Sequence, residues 1–591
     1  MTQRNSSRNN TRGFFNTLLF ACVFFTGFCS GPVLGQQTSG LKQPIVRYDA
    51  MHHPAMGRFG MAVSQNSIAT RVGQETLVRG GNAVDAAVSM GFALAVTLPR
   101  AGNLGGSGFM LTHMAAEQKT FAFDYRSVAP MKASVEKYRK ADGELDWDKL
   151  TFGPMAASVP GTVAGLYTAW QRFGSMDWKT LLQPAYQLAS EGFEIGHDLA
   201  KVLNMAASEL NVYGIGSAYL KPDGQLWEAG DKLVQTDLAW SIAQIMEHGA
   251  AAFYEGELAQ RIIAEFEKNG GIISAQDLAE YKVKERVPVS TTYRDKQVFS
   301  MPPVSAGGVT LIQMLNILEN FDLQKYPQGS AGSLHLLAEV MKRAAANRRS
   351  LLGDPDFVEV PVDAYVSKEL AREMAKKIDM KRAEKVENIE AESLDRYESR
   401  DTTHFSVMDQ YGNAVSNTYT LGYSFGSGYV AEGTGILFDN QMRNFSYRAD
   451  SQHPNALAPG KRMLSTMTPT IVLDKDGKVF LVTGSPGGSR IINVVLQVLV
   501  NTIDYGLNIA EATDRARIHQ GWQKQDLAIE TGMNPEVIKL LKDMGHVIDM
   551  QGTMGSTQSI WWRNGVFEGS ADPRRPNALA LGLDKPPLPV Q

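Results

Sequence analysis

A chain of 591 residues, 43% of them hydrophobic, is long enough to bury a sizeable core, so one large domain or two closely packed ones are expected. The 58 basic and 62 acidic residues leave a formal charge of −4 with no basic stripe, which excludes nucleic acid and an anionic membrane surface as expected partners and points to a small molecule. Two cysteines cannot build a disulfide framework of the kind that small secreted domains need.

Arg4, Arg8 and Arg12 precede an apolar run from Leu18 to Phe25, and Val33-Leu34-Gly35 stands ahead of Gln36. This is the layout of a secretory signal peptide over residues 1–35, so the mature protein is expected in the periplasm or outside the cell. The run is far shorter than the roughly 20 residues a membrane-spanning helix needs, so no stable membrane anchor is expected. Cys29 follows Phe28 instead of a small residue, which argues against a lipoprotein. Cys22 and Cys29 both fall in the removed segment, so a disulfide, a thiolate metal site and a cysteine nucleophile are excluded together.

From Ala62 to Leu98 the chain reads as helix, a Gly80-Gly81 break, and a second apolar helix from about Asn82. Gly105, Gly106 and Gly108 cluster ahead of a short strand, Phe109 to His113. They fit neither the dinucleotide fingerprint nor the phosphate-loop pattern, and read as tight packing between helix and strand. The next strand ends at Asp124-Tyr125-Arg126, where an arginine taken alone is a solvated or ion-paired surface group. Helices are expected over Val159 to Phe173, Trp178 to Gly192, the end of Met301 to Leu318, and Ser333 to Leu352. Lys368 to Arg400 turns charged and reads as a solvated helix with a linker, an exposed segment that leaves the Asp401-Thr402 bond room to rearrange.

The stretch "RDTTHFSVMDQYGNAVSNTYTLGYSFGSGYVAEGTGILFDNQ", Arg400 to Gln441, organises the rest. Alternation from Thr403 to Val407, a turn at Asp409 to Asn413, and alternation to Thr420 predict a β-hairpin whose first strand opens on Thr402-Thr403. A threonine hydroxyl is a weak nucleophile until a base sits beside it, and a threonine at a chain start carries one in its own α-amine, which titrates near about 7.7 to 8.0. Further on, Met463 to Leu473 and Lys478 to Thr483 form a second hairpin around Asp474 to Gly477. "GSPGGS", Gly484 to Ser489, then opens a buried helix to about Tyr505. At such a turn, backbone N–H groups converge and favour negative charge, although the motif by itself is weak and a plain glycine turn is the simpler account. The C-terminal part holds a helix, Pro535 to Met544, and a hairpin around Arg563-Asn564-Gly565.

"TTHFSV", "GNAVSNTYTL", "FGSG" and "GILFDNQM", with "GGNAVDAAV" and "LPRAGNLGGSGFML" in the first half, resemble the γ-glutamyltranspeptidase family. The resemblance implies an α+β N-terminal nucleophile hydrolase, a four-layer αββα sandwich of two antiparallel sheets between helical layers. It implies self-cleavage between Asp401 and Thr402 into a large subunit, 36–401, and a small one, 402–591, that stay together as a heterodimer. Residue by residue, it makes Thr402 the nucleophile, its freed amine the base, Thr420 the group orienting the nucleophile, and Gly487 and Gly488 the oxyanion donors. Arg126 would grip the α-carboxylate of glutathione or another γ-glutamyl compound, with Gln441 and the Ser465-Thr466 pair holding the head group. The acyl group would pass to water or to an amino acid or dipeptide acceptor, and neither metal nor organic cofactor is implied.

Three departures stand out. Asn444 occupies the place of an aspartate that pairs with the donor's α-ammonium, and a neutral acceptor makes a bond roughly half as strong as a charged one. Gly422 stands where many members have a polar side chain. The stretch between Phe445 and Lys461 is short beside members with a lid, so water should reach the site and hydrolysis should outrun transfer. The first departure opens a second reading, an acylase for glutaryl side chains of the cephalosporin type. A third reading is an uncleaved, non-catalytic relative. Other signals are poorer: His52-His53 is the only histidine pair in sequence, and "SVEK" at Ser134 lacks its companion motifs. His404 shares a strand face with Thr402 and reads as structural, because the amine already supplies a base.

Overall fold

The computed structural model describes residues 50–214, 216–348, 352–389, 401–447 and 452–589. The signal peptide and residues 390–400 lie outside the described residues, as does part of the short stretch between Phe445 and Lys461; the charged stretch before 390–400 opens with the expected helix, Lys368–Lys376.

The hairpin forms as the sequence predicts, with strands Asp401–Asp409 and Ala414–Gly422. Asp409 closes its turn by accepting from the backbone N–H groups of Tyr411 (2.8 Å) and Asn413 (3.0 Å), and it also accepts from Ala83 N (2.9 Å) at the start of helix Ala83–Thr97. Around the hairpin a seven-stranded antiparallel sheet assembles in the order Leu579–Gly582, Gly60–Ser64, Asp401–Asp409, Ala414–Gly422, Ser107–Met114, Lys119–Tyr125 and Lys284–Arg286. A second seven-stranded antiparallel sheet runs Ala55–Gly57, Val566–Ala571, Gln558–Arg563, Val479–Thr483, Thr470–Leu473, Lys296–Ser300 and Val289–Tyr293.

The side-chain alternation of the hairpin divides between the two faces of the first sheet. Phe405, Val407, Val415, Tyr419 and Leu421 join the core made with helices Ser67–Val78, Ala83–Thr97, Thr162–Phe173 and Trp178–Glu191. Tyr419 donates its hydroxyl to Gly91 O (2.9 Å), fixing the hairpin to that layer. The opposite face looks at the second sheet through a polar layer: Ser406 donates to Gln558 O (2.8 Å) and Ser416 to Thr483 O (3.0 Å). Beyond the second sheet, helices Ala306–Leu318, Ala331–Asn347 and Ile491–Ile503 close another core. The result is the four-layer αββα sandwich that the resemblance implies. No helix among the described residues is long and apolar enough to cross a membrane.

Two expected elements differ. Met61-Ala62-Val63 is strand, not helix, because it pairs with Phe405–Asp409 on one side and Leu579–Gly582 on the other. Within Met463 to Leu473 only Thr470–Leu473 is strand. The carbonyls of Met463 and Leu464 accept from Arg126 instead of from a neighbouring strand.

Thr403 lies on the helical face with Phe405 and Val407, and its buried hydroxyl has no hydrogen-bond partner among the described residues. An orphaned buried hydroxyl costs stability, so Thr403→Val is expected to raise it by about 1 kcal/mol. The urea midpoint of purified protein should rise; a lower midpoint would contradict the reading.

Candidate active site

The hairpin brings Thr402 to the inter-sheet face at a break in its pairing. Asp401 faces Gly422 but Thr403 faces Tyr419, so the partner strand carries one extra residue opposite Thr402. A bulge of this kind re-aims a side chain. The Thr402 hydroxyl is buried and donates to Thr420 Oγ1 (3.2 Å), which also accepts from Gly422 N (2.9 Å). Gly422 has φ +95°, and a Cβ there would sit 2.2 Å from Asn440 Oδ1, so the departure at this position has a steric cause.

Thr420 links onward to the rest of the expected site. Its carbonyl accepts from Gln441 Nε2 (3.2 Å), and the Gln441 amide also meets Ser107 Oγ at 2.9 Å through Nε2 and 3.1 Å through Oε1. Ser107 Oγ accepts from Arg126 (3.4 Å), whose other donors reach Met463 O (3.2 Å) and Leu464 O (3.4 Å). Two residues further, Thr466 Oγ1 donates to Gly488 O (2.9 Å), and Ser465 Oγ accepts from Met467 N (3.2 Å). One run of hydrogen bonds and chain therefore joins Thr402, Thr420, Gln441, Arg126, Ser465, Thr466 and Gly488.

Arg126 is 1% exposed, so the surface reading of this residue taken alone does not hold. Burial lowers its pKa to about 10, against the pull of Asp439 and Asp124, so the guanidinium stays charged at neutral pH. A buried cation whose side-chain partners among the described residues are all neutral oxygens is suited to receive a carboxylate. At the "SPGGS" turn Gly487 has φ +130° and Gly488 φ +59°, and neither N–H has a hydrogen-bond partner among the described residues. Two free donors on successive residues can receive a developing oxyanion.

Asn444 closes the short helical turn Gln441–Asn444, and its carbonyl accepts from Asn455 Nδ2 (2.7 Å). Its half-exposed side chain makes no hydrogen bond among the described residues. His404 is wholly buried, with Nδ1 at 2.8 Å from Thr418 Oγ1 and Nε2 at 3.0 Å from Ser406 Oγ. Burial lowers its pKa to about 3, so it is a neutral member of the polar layer, in keeping with a structural role.

Two residues of this cluster escaped the sequence reading, Ser107 and Asp439. Both sit inside stretches quoted above for the resemblance, "GGSG" and "FDNQ", which was the only available signal. The glycines before Ser107 also pack differently from expectation. A Cβ on Gly106 would lie 2.4 Å from Thr420 O, so the close approach is to strand Ala414–Gly422 and not between helix and strand.

Away from this network, His335, Glu339 and His546 bring three potential metal ligands together. The atoms that converge there already hold other partners. His335 meets His546 at 2.8 Å and Asp379 O at 2.8 Å, and Glu339 is gripped by both Lys342 and Arg343. Two cations on one carboxylate oppose a further positive charge.

Residues 69–582 match the family Gamma-glutamyltranspeptidase. The chain is 46% identical over 540 residues to a glutathione hydrolase proenzyme of Escherichia coli (strain K12), covering 90% of this chain and 93% of that one. A glutathione hydrolase proenzyme of Pseudomonas sp. (strain A14) is 38% identical over 553 residues, covering 90% and 96%. Among solved structures, a cephalosporin acylase from Bacillus halodurans superposes with a TM-score of 0.82 at 28% identity, over 92% of this chain and 100% of that one. Sequence similarity across nearly the whole length and the sandwich that places a threonine at the head of a central strand agree: the chain belongs to the γ-glutamyltranspeptidase family.

Proposed function

We propose that the protein is an exported glutathione hydrolase and γ-glutamyltransferase, synthesised as a precursor that cleaves itself between Asp401 and Thr402. The observation that carries this reading is the Thr402 hydroxyl, set at a bulge on Thr420 and joined through Gln441 and Ser107 to the buried Arg126. The names of the two curated relatives, glutathione hydrolase proenzymes, support it. So does the interleaving of the would-be subunits: both sheets take strands from each side of Thr402, so cleavage would leave 36–401 and 402–591 held together by the core.

After cleavage, Thr402 Oγ1 attacks the γ-carbonyl carbon of the donor and its proton passes to the new α-amine. Gly487 and Gly488 receive the oxyanion. Collapse returns the proton to the departing amine and leaves a γ-glutamyl ester on Thr402. Water, deprotonated by the same amine, then releases glutamate; the amine of an amino acid or dipeptide gives a new γ-glutamyl peptide instead. Thr420 holds the nucleophile's orientation, and Arg126 binds the donor's α-carboxylate beside Gln441, Ser465 and Thr466.

Asn444 favours a second reading, an acylase for glutaryl or related side chains, because it offers a donor's ammonium no charge; the likeness to a cephalosporin acylase fits that reading too. Incubation with glutathione separates the two. The first reading expects glutamate and cysteinylglycine in equal amounts, and γ-glutamyl-glycylglycine when glycylglycine is added. Hydrolysis of a glutaryl anilide with no release of glutamate would favour the second.

A further inference from the structure

Asp439 is wholly buried beneath the head-group residues and takes no part in the chemistry above. Its Oδ1 accepts from Ser158 N (2.9 Å) and Ser158 Oγ (2.8 Å), and its Oδ2 from Ser127 Oγ (2.8 Å) and Gln441 Nε2 (2.8 Å). Every neighbour is a donor, the environment of an ionised carboxylate. Such an acceptor dictates how the Gln441 amide turns: its NH2 is taken by Asp439 Oδ2 and Thr420 O, and Oε1 is left to accept from Ser107 Oγ (3.1 Å), the hydroxyl that also accepts from Arg126. Ser107 Oγ thereby links that carbonyl oxygen to the guanidinium by one hydrogen bond on each side. An α-ammonium sits one carbon from an α-carboxylate, and this is where it needs an acceptor.

Charge leads to the same place. Arg126 and Asp439 together are neutral, and a γ-glutamyl head group, which carries both an α-carboxylate and an α-ammonium, keeps the buried site neutral. A glutaryl group brings the carboxylate alone and leaves one uncompensated negative charge away from water, which is costly. Asn444 supplies no charge to either donor.

We propose that Asp439 is the positioning residue that sets acyl specificity: through the Gln441 amide and its own buried charge it makes the site prefer donors with an α-ammonium beside the carboxylate over donors without one. The proposal rests on the γ-glutamyl reading of the same site and supplies the charge that Asn444 lacks.

A pH dependence follows. Burial pushes the Asp439 pKa up to about 6, against hydrogen bonds from Ser158, Ser127 and Gln441, so its charge is present above that pH and lost below it. Arg126 and Tyr281, which also face this cluster, do not titrate in that window. Arg126 stays charged to about 10; burial raises Tyr281, whose hydroxyl donates to Arg126 O, out of range; and Asp124 is paired with Arg286 and Arg462. The freed Thr402 amine titrates near about 7.7 to 8.0 but serves both donors alike, so it cancels in a ratio.

The test is the ratio of kcat/KM for γ-glutamyl-p-nitroanilide to that for glutaryl-p-nitroanilide, from pH 5 to 8, on wild type and Asp439→Asn. If glutaryl turnover is too slow to measure, inhibition constants of L-glutamate and glutarate read the same preference. The wild-type ratio should fall about tenfold as pH drops through about 6, and the variant should show a low ratio that does not change with pH. A wild-type ratio flat across the range, or a variant in which both rates fall equally, overturns the proposal. Should the variant fail to fold, the wild-type profile decides alone. Wild-type enzyme inactive on the γ-glutamyl substrate at every pH would refute the functional reading itself, whereas active enzyme with a flat ratio refutes only the role of Asp439.

Discussion

An enzyme with Thr402 replaced by alanine is expected to remain one full-length chain and to lose γ-glutamyl hydrolysis by about 10⁴-fold or more. Two losses follow from this one change. In the mechanism we propose, the hydroxyl that donates to Thr420 is the nucleophile for the donor and also the group that opens the bond preceding it. Without it the α-amine is never freed, so nucleophile and base disappear together. Serine retains the hydroxyl, and Thr402→Ser should still cleave and turn over, more slowly because its unbranched side chain holds one orientation less firmly. Denaturing electrophoresis and glutamate release read both variants. A Thr402→Ala protein found in two pieces, or with activity near wild type, would refute the assignment.

Replacing Arg126 by lysine should raise KM for γ-glutamyl donors and lower kcat/KM by about 100- to 1,000-fold, while cleavage at 401/402 goes to completion. Lysine keeps the charge but not the planar fork, so it cannot pair with a carboxylate at two points. It also cannot serve Ser107 Oγ, Met463 O and Leu464 O at once, and charge-assisted bonds of this sort are each worth about 1.5 to 3 kcal/mol. Precursor cleavage needs no donor carboxylate, so it separates loss of binding from loss of fold. A variant with unchanged KM would place the carboxylate elsewhere; a variant stalled as precursor would give Arg126 a structural role.

How far the sequence carried depends on how local each determinant is. The nucleophile hairpin was legible because its turn is made by neighbours, with Asp409 accepting from Tyr411 and Asn413. The C-terminal hairpin was legible for the same reason, since Asn564 (φ +52°) and Gly565 (φ +81°) take the two left-handed positions of its turn. Met61-Ala62-Val63 was misread because nothing beside it marks a strand, and its partners begin about 340 residues later, at Phe405. Arg126 looked like a surface group for a similar reason: the carbonyl of Met463 that receives its Nε lies 337 residues away. Neither Ser107 nor Asp439 stood out, because their meaning comes from Gln441 and Arg126, and the 334 residues between Ser107 and Gln441 vanish only on folding. The chemistry was recognised through resemblance, and the geometry supplied what resemblance left open: why glycine stands at 422, and which carboxylate sits beneath Gln441.

The most direct test is intact-mass analysis of active, purified enzyme together with N-terminal sequencing of its smaller component. Two polypeptides are expected, the smaller beginning Thr402-Thr403-His404 and ending with the chain, and activity should appear in step with their formation. Full activity in protein whose 401–402 peptide bond is intact would contradict the account.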